Sequence, residues 1–227
     1  MSGLWLSRAR LRRDASLASL AQLLVPDAVS ARPAAAHHLV WSLFADGPER
    51  RRDFLWREEA PGQFMTLSRR PPVNIGGLFD LDSQPFAPLL APGDRLGFTL
   101  RANPVVARAT TPGQRGKRHD VVMDMLRSVT PGQRAEARPD AVVTAGRAWL
   151  VRQGAAHGFQ PEGEIAVDGY DQVVVPRETG APAVFGVLDI GGVLTVQEPV
   201  GFLAAQATGF GRARAFGCGL MLIRRVR

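Results

Sequence analysis

The sequence is poor in the residues that build disulfides, metal sites and membrane spans. Its 227 residues contain one cysteine, Cys218, one tyrosine, Tyr170, and one lysine, Lys117. A single cysteine excludes an intrachain disulfide and a cysteine-rich zinc site. No apolar run reaches about 18 residues, so a membrane span is excluded, and the early charges Arg8 and Arg10 do not fit a secretory signal. We therefore expect a cytoplasmic protein with no membrane partner.

The charge that is present is strongly positive and is carried by arginine. Lysine and arginine total 28 against 21 acidic residues, which gives a net charge of +7 and a sequence pI near 11.1. Such a balance favours a polyanionic partner, either nucleic acid or an anionic membrane surface, and nucleic acid is the stronger candidate. Codon bias toward arginine is the alternative explanation. The 45% hydrophobic content is enough for a packed core.

The first half predicts a strand, a helix and two further strands. The even positions of the opening strand pass from Leu4 and Leu6 to the arginines, so one face changes from apolar to basic. Alternation and helical spacing together predict a strand at 4–13, a short helix capped by Asp14, a helix at 34–44, strands at 54–58 and 63–69, and coil with only short elements at 70–92.

The second half repeats this order and completes it. It predicts a strand at 95–103, a basic polar stretch to 138, a helix at 139–152, strands around 159, 173–175 and 185–196 with a hairpin turn at Gly191-Gly192, a helix at 199–208, and a strand at 220–223. The order β-α-β-β-α-β is typical of a ferredoxin-like unit. We therefore predict an α+β protein with two tandem ferredoxin-like (RRM-like) domains, residues 1–92 and 93–227.

A glycine loop lies between the last helix and the last strand. We define it as Gly209–Gly219; it contains Gly209, Gly211, Gly217 and Gly219, with Arg212 and Arg214 between them. Glycine tolerates positive φ, so this loop is expected to approach a phosphate backbone closely while the arginines supply charge. Its helix–loop–strand order is the reverse of a nucleotide-binding unit, which makes nucleotide binding a poor explanation.

Histidine is the other candidate for chemistry, because its pKa suits proton transfer near neutral pH. The sequence has four: His37, His38, His119 and His157. His37 falls at the edge of the apolar side of its helix, where a histidine that merely covers the core is the default explanation. His38 is expected to point toward solvent, His119 lies in a cationic loop, and His157 is expected at a strand edge.

Other site chemistries are weak in this sequence. The pair His37 and His38 lacks a carboxylate at metal-ligand spacing, and surface carboxylates are the default for Asp80, Asp82, Asp120 and Asp124, although they leave a two-metal nuclease open. We expect no metal and no cofactor. The sheet-borne aromatic residues of an RNA-recognition motif are also missing, so phosphate-directed binding of folded RNA fits better than base stacking on a sheet.

Five segments in order resemble one family, the CRISPR-associated endoribonuclease CasE of type I-E systems. They are Leu4–Arg8, His37 with Trp41 and Phe44, Arg51–Trp56, Leu100–Pro104, and Gly209–Leu220. The resemblance implies two ferredoxin-like domains and cleavage of precursor CRISPR RNA at the 3′ base of the repeat hairpin. It also implies metal-independent chemistry, in which a ribose 2′-hydroxyl attacks the adjacent phosphate and leaves a 2′,3′-cyclic phosphate.

The resemblance assigns the catalytic role to His37, by its spacing to Trp41 and Phe44. Two family features are absent. A tyrosine three residues before the histidine is Ala34, and a lysine five residues after it is Ser42. His37 is therefore expected to act with an arginine, drawn from Arg8–Arg13 or Arg214.

The expected partners are the CRISPR repeat RNA hairpin and other Cascade subunits, with a monomer in the free state. Residues expected to bind RNA are Arg8, Arg10, Arg12, Arg101, Arg108, Arg115, Lys117, Arg118, Gly209, Gly211, Arg212, Arg214, Gly217 and Gly219. The competing hypothesis is a non-catalytic RNA-hairpin-binding subunit of a ribonucleoprotein, which the missing tyrosine keeps open.

Overall fold

The structure is a computed structural model that describes residues 3–12, 32–45, 47, 51–109, 116–176 and 179–226. Its first part contains β1 (Leu4–Leu11), α1 (Arg32–Ser42), β2 (Phe54–Ala60), β3 (Gln63–Ser68) and β4 (Phe79–Phe86). The four strands form one antiparallel sheet in the order β2-β3-β1-β4. Arg13 and the short helix predicted after Asp14 lie outside the described residues.

The second part begins with β5 and carries an insertion before its long helix. Its elements are β5 (Arg95–Ala102), β6 (Val105–Arg108), β7 (Lys117–Asp120), α2 (Val121–Met125), α3 (Arg134–His157), β8 (Phe159–Val175), β9 (Ala183–Val196), α4 (Pro199–Thr208) and β10 (Met221–Arg225). The main sheet has the order β10-β5-β9-β8, and β6 and β7 pair as a separate two-stranded ribbon.

The two main sheets share one topology. Numbered within each part, both follow the strand order 4-1-3-2, with antiparallel neighbours. This is the arrangement that a βαββαβ chain produces, so the predicted tandem ferredoxin-like fold is confirmed. In the first part, the described residues between β3 and β4 form only a 3₁₀ turn, Ile75–Gly77, where the second part has α4. The boundary between residues 92 and 93 stays a prediction.

Side chains along β1 point alternately to the two faces of the first sheet, and each face packs against a different part of the protein. Ala9 packs with Ala36 and Val40 of α1 in a buried cluster that also contains stacked Phe44 and Phe54, with ring centroids 4.2 Å apart. On the opposite face, a second cluster joins Leu55 to Leu220 near β10. The two sheets therefore pack together on the face away from α1.

Five local predictions are wrong. The coil at 70–92 contains the eight-residue strand β4, in which Pro85 is tolerated because β4 is an edge strand. Gly191-Gly192 is no turn, since both residues lie inside β9. β8 is one strand of 17 residues, where two separate strands were expected. The helix at 139–152 is longer at both ends, and His157 is its last residue, not a strand-edge residue.

Candidate active site

His37 is held at the contact between α1 and the glycine loop. Its Nδ1 lies 2.8 Å from the carbonyl oxygen of Ala215. Its ring centroid is 5.8 Å from that of Phe216 and 6.1 Å from that of Trp41. A carbonyl oxygen can only accept a hydrogen bond, so Nδ1 carries the proton. In the neutral ring Nε2 is therefore free of a proton and able to take one.

The Ala215 carbonyl is itself held from a second side. Nε1 of Trp56, on β2, donates to the same oxygen at 3.2 Å. The loop reaches this position through Ala213 at φ 51 and Gly217 at φ 77, and a Cβ on Gly217 would lie 3.1 Å from the Trp56 ring. A non-glycine residue in the left-handed region carries a cost that persists only where the surroundings fix it, which is common at functional sites.

The surroundings favour the neutral form of His37. Burial is the largest cause that lowers its pKa below the ordinary value, and the charges of His38 and Arg52 lower it further. The hydrogen bond to Ala215 acts in the opposite direction. With the pKa below 6.5, the imidazole is mostly unprotonated at neutral pH, which suits a general base.

Arg52 lies close enough to this ring to lower its pKa, and Arg214, directly before Ala215 in the chain, lies near Arg52. Burial and the charge of Arg214 lower the pKa of Arg52, and burial and the charge of Arg212 lower the pKa of Arg214. Nη1 of Arg52 is buried and has no hydrogen-bond partner among the described residues. Since buried polar groups are normally satisfied, this arrangement is suited to an anion that completes it.

Arg52 was not among the predicted site residues. It belongs to the Arg51–Trp56 segment of the family resemblance, which sequence reasoning used for recognition and not for chemistry. The signal that would have found it is a pair of arginines directly before a strand of large apolar residues. In the structure, that strand (β2) supports His37 through Trp56.

The predicted glycines are in the left-handed region, but most face protein. Gly209, Gly217 and Gly219 are buried. The amide of Gly209 donates to Ala205 and that of Gly219 donates to Arg101. Gly211 also has positive φ, and a Cβ there would lie 2.8 Å from the Asn103 carbonyl oxygen. These four glycines therefore shape the loop, and their packing does not support direct contact with an RNA backbone.

The arginines of β1 lie away from His37. Arg8 and Arg10 are exposed on the sheet face opposite α1, directly across from Asp82 and Asp80 on β4. Arg12 hydrogen-bonds the Gly77 carbonyl at 3.4 Å. Because none of these three arginines contacts His37 or the glycine loop in the described part of the chain, they are weaker candidates for the phosphate contact at the cut site than Arg52 and Arg214.

The other predicted basic residues fall into two groups. Arg101 is paired with Asp189 at 2.5 Å and lies 3.9 Å from Asp171, so it belongs to an ion-pair network between strands. Lys117 and Arg118 are exposed on the β6–β7 ribbon, opposite Arg108 and Ala107. Arg108 is 63% exposed and binds Asp124. Arg115 lies outside the described residues.

The remaining titratable groups do not assemble into a second site. His38 is exposed, as expected, and His119 accepts a hydrogen bond from Arg127 at 2.9 Å. Among the described residues no three histidine, cysteine or acidic side chains come together as metal ligands. None of the helices in that part of the chain is both long and apolar enough to cross a membrane.

The two positions that depart from the family pattern supply no replacement. Ala34 has no polar side chain, and Ser42 donates to the Leu39 carbonyl of its own helix at 2.7 Å. The cation that the resemblance places at Ser42 is thus missing from that position of α1. Arg52 and Arg214 provide positive charge from the strand side and from the glycine loop.

The protein has a tandem ferredoxin-like fold, in which a loop of the second domain holds a histidine of the first. This fold and this contact define its structural class. The sequence profile of a family described as "CRISPR associated protein" matches residues 4–225. The chain belongs to this family. The comparison with curated proteins found no match.

Solved structures of similar proteins cover nearly the whole chain. CRISPR endoribonuclease Cse3 bound to a 19-nucleotide RNA is 27% identical, with a TM-score of 0.68 over 97% of this chain and 99% of that one. Thermus thermophilus Cse3, bound to an RNA representing a pre-cleavage complex, is 25% identical, with a TM-score of 0.67 over 98% and 99%. A chain of Escherichia coli Cascade, in a complex with a PAM-containing double-stranded DNA target, shares the fold at 17% identity and a TM-score of 0.50 over 97% and 99%.

Proposed function

We propose that this chain is an endoribonuclease that cuts precursor CRISPR RNA at the 3′ base of the repeat hairpin. It then keeps the product and joins the other Cascade subunits in the cytoplasm. The similarity to Cse3 bound to RNA supports the substrate class. The observation that carries the chemistry is the hydrogen bond from His37 Nδ1 to the Ala215 carbonyl, because it fixes which ring nitrogen handles the proton.

The reaction is a transfer within the RNA chain. Nε2 of His37 takes the proton of the ribose 2′-hydroxyl, and the 2′-oxygen bonds to the adjacent phosphorus. The bond from phosphorus to the 5′-oxygen of the next nucleotide breaks, and that oxygen takes up a proton from solvent. The products are a 2′,3′-cyclic phosphate and a 5′-hydroxyl. The step needs no added nucleophile.

Arginine side chains stabilise the negative charge that develops in this step. The pentacoordinate phosphorane carries more negative charge than the phosphodiester, and preorganised donors at that point lower the barrier. Nη1 of Arg52 is buried and has no hydrogen-bond partner among the described residues, so turning it toward a phosphate oxygen breaks no hydrogen bond of that atom. Arg214 adds charge from the glycine loop, where its Nε donates to the Gly211 carbonyl.

The hairpin stem would be held by exposed cations farther from the cut. Lys117 and Arg118 project from a ribbon and are exposed. Since the deep major groove of A-form RNA hides base edges from most side chains, such contacts reach phosphates. The two roles are thus divided between two parts of the protein. The β6–β7 ribbon contributes RNA-binding affinity, and His37 contributes catalysis of the cleavage step.

Incubation of the purified protein with end-labelled repeat RNA in EDTA tests the proposal. A discrete cut at the hairpin base, with a cyclic phosphate on the upstream product, is expected. Binding without a cut would replace the proposal with the non-catalytic RNA-binding subunit, and cleavage that EDTA abolishes would replace it with a metal-dependent nuclease.

A further inference from the structure

Beside the His37 site lies an interdomain cleft of about 680 Å³. One wall comes from α1 and β2, and the other comes from β8, β9 and Phe216 of the glycine loop. The volume is within the usual range of small-molecule pockets, roughly 300 to 1,000 Å³. Ala36, the residue before His37, and Phe216, whose ring centroid is 5.8 Å from that of His37, both line the cleft. The cleft therefore opens next to the proposed cut site.

The lining combines flat apolar surface with polar side chains of both signs. Pro33, Trp56, Val173, Val187 and Phe216 supply the apolar surface. Phe216 is only partly buried, and its ring stacks on Phe185 at 5.8 Å between centroids and is tilted against His37 at the same distance. A partly exposed aromatic ring in a loop fixed by glycine is suited to stacking against another flat ring.

The polar lining argues against a phosphate as the occupant. Three carboxylates, Glu58, Glu59 and Asp171, face two guanidinium groups, Arg32 and Arg101. Arg101 is paired with Asp189, and Glu59 is paired with Arg57. The lining therefore offers an anion no excess of positive charge, whereas Glu58 and Asp171 offer acceptors to a neutral group with hydrogen-bond donors.

Glu58 is the acceptor best placed for recognition. Oε1 accepts a hydrogen bond from the Gly62 amide at 3.0 Å, which helps to fix the carboxylate, and the charges of Arg32 and Arg101 act on the same group. The side chain is half-buried and lies two residues beyond Trp56 on the same strand. Carboxylates accept from exocyclic amines of bases, as they do from the amine of cytosine.

We propose that this cleft receives an unpaired nucleobase flanking the scissile phosphate, stacked on Phe216 and read by Glu58 through an exocyclic amine. This inference rests on the proposed function, because it places the base of a substrate RNA next to His37. Sequence-specific RNA recognition generally uses splayed bases that stack on aromatic rings and hydrogen-bond along their edges. The cleft thereby selects adenine, cytosine or guanine over uracil at one position beside the cut.

A binding experiment tests the cleft without requiring cleavage. The repeat RNA carries a 2′-deoxy nucleotide that removes the attacking hydroxyl, and 2-aminopurine either 5′ or 3′ of the scissile phosphate. Saturating protein should quench 2-aminopurine at one of the two positions, and Phe216→Ala should abolish this quenching while RNA remains bound by anisotropy. Leu89→Ala, a truncation at a side chain that is 89% exposed, is the control and should quench like wild type.

A cleavage experiment tests the reading by Glu58. At the quenched position, wild type should cut the amine-bearing RNA roughly 5- to 150-fold faster than the RNA with uracil. Glu58→Gln should lose most of this preference while still quenching 2-aminopurine. Equal fluorescence of wild type and Phe216→Ala, or equal cleavage of both RNAs by wild type, overturns the inference. Failure to cut any RNA would contradict the proposed function instead, and the fluorescence result would still decide on the cleft.

Discussion

His37 and Trp56 donate to the same acceptor, the carbonyl oxygen of Ala215, at 2.8 and 3.2 Å. The two donors come from α1 and β2 of the first domain, and the acceptor comes from the glycine loop of the second. The shared oxygen orients the imidazole and selects its tautomer. Without it, the ring would be free to present either nitrogen to the substrate, and the proton transfer would lose its geometry.

Replacement of the proposed base should remove catalysis and leave binding. His37→Ala is expected to lower the single-turnover cleavage rate by roughly 10²- to 10⁴-fold, because general acid–base assistance is worth about that much. Hairpin affinity, measured by filter binding, should change little. His38→Ala is the matched control, since this neighbour is exposed, and it should cut at nearly the wild-type rate. A His37→Ala protein that cuts like wild type would refute the assignment.

Arg52 should affect both the rate and its pH dependence. The base form of His37 is needed, so the rate should fall as the pH drops through the His37 pKa, which burial places below 6.5. Arg52→Gln removes one charge that lowers this pKa, and the acidic limb should move toward higher pH. The plateau rate should also fall by roughly 10²- to 10³-fold.

The exposed neighbour Arg51 provides the control for this prediction. Arg51→Ala removes the same formal charge and should leave the acidic limb in place. The measurement is a single-turnover rate between pH 5 and 9 at constant ionic strength. If the acidic limb of the pH–rate profile did not shift in Arg52→Gln, Arg52 would not be part of the His37 site.

Loss of cations from the β6–β7 ribbon should weaken binding in a salt-dependent way. The double variant Lys117→Ala, Arg118→Ala should reduce the slope of log K against log salt by about 1.5, since each phosphate contact contributes roughly 0.7 to 0.9. The cleavage rate at saturating RNA should be unchanged. Arg95→Ala with Arg225→Ala removes the same charge from arginines paired with Glu162 and Asp94, and it should leave the slope nearly unaltered. Equal slopes for wild type and the ribbon variant would remove the ribbon from the interface.

A side chain at Gly217 should disturb the loop that holds the Ala215 carbonyl. Gly217 has φ 77, and a Cβ would lie 3.1 Å from the Trp56 ring. Gly217→Ala should therefore cost about 1 to 2 kcal/mol in the free energy of unfolding. It should also lower the cleavage rate by roughly 10- to 100-fold through displacement of His37.

Gly132 offers a matched glycine for comparison. A Cβ there has no heavy atom within 4 Å and no positive φ. Gly132→Ala should leave both the urea midpoint and the cleavage rate close to wild type. If Gly217→Ala behaved like Gly132→Ala, the loop would not be holding the histidine.

The spacing of apolar residues in the sequence was enough to predict elements that depend on neighbouring residues in the chain. The helix carrying His37 and the helix at 199–208 follow from apolar spacing alone, and the second matches its predicted bounds. The prediction failed where glycine or proline serves a tertiary contact. Residue 192, inside β9, is glycine because a Cβ there would lie 2.7 Å from Cδ1 of Ile165, a contact that no local pattern encodes. Pro85 could be placed only once β4 was known to be an edge strand.

The site was predictable only in part for the same reason. The resemblance selected His37, but its acceptor lies 178 residues away and is a backbone atom, which no motif names. Arg52 is one of 28 basic residues, and the sequence alone does not show that its charge acts on His37. Composition indicated an anionic partner; contact geometry was needed to tell which charges face the chemistry.

Because one domain provides the imidazole and the other provides the oxygen that orients it, the proposed active centre is formed only while the two halves of the chain remain docked. A protein nicked in the 87–94 connection would keep every side chain required for the reaction. It would nevertheless lose its cleavage activity when the two halves separate, and RNA bound to both halves would restore that activity.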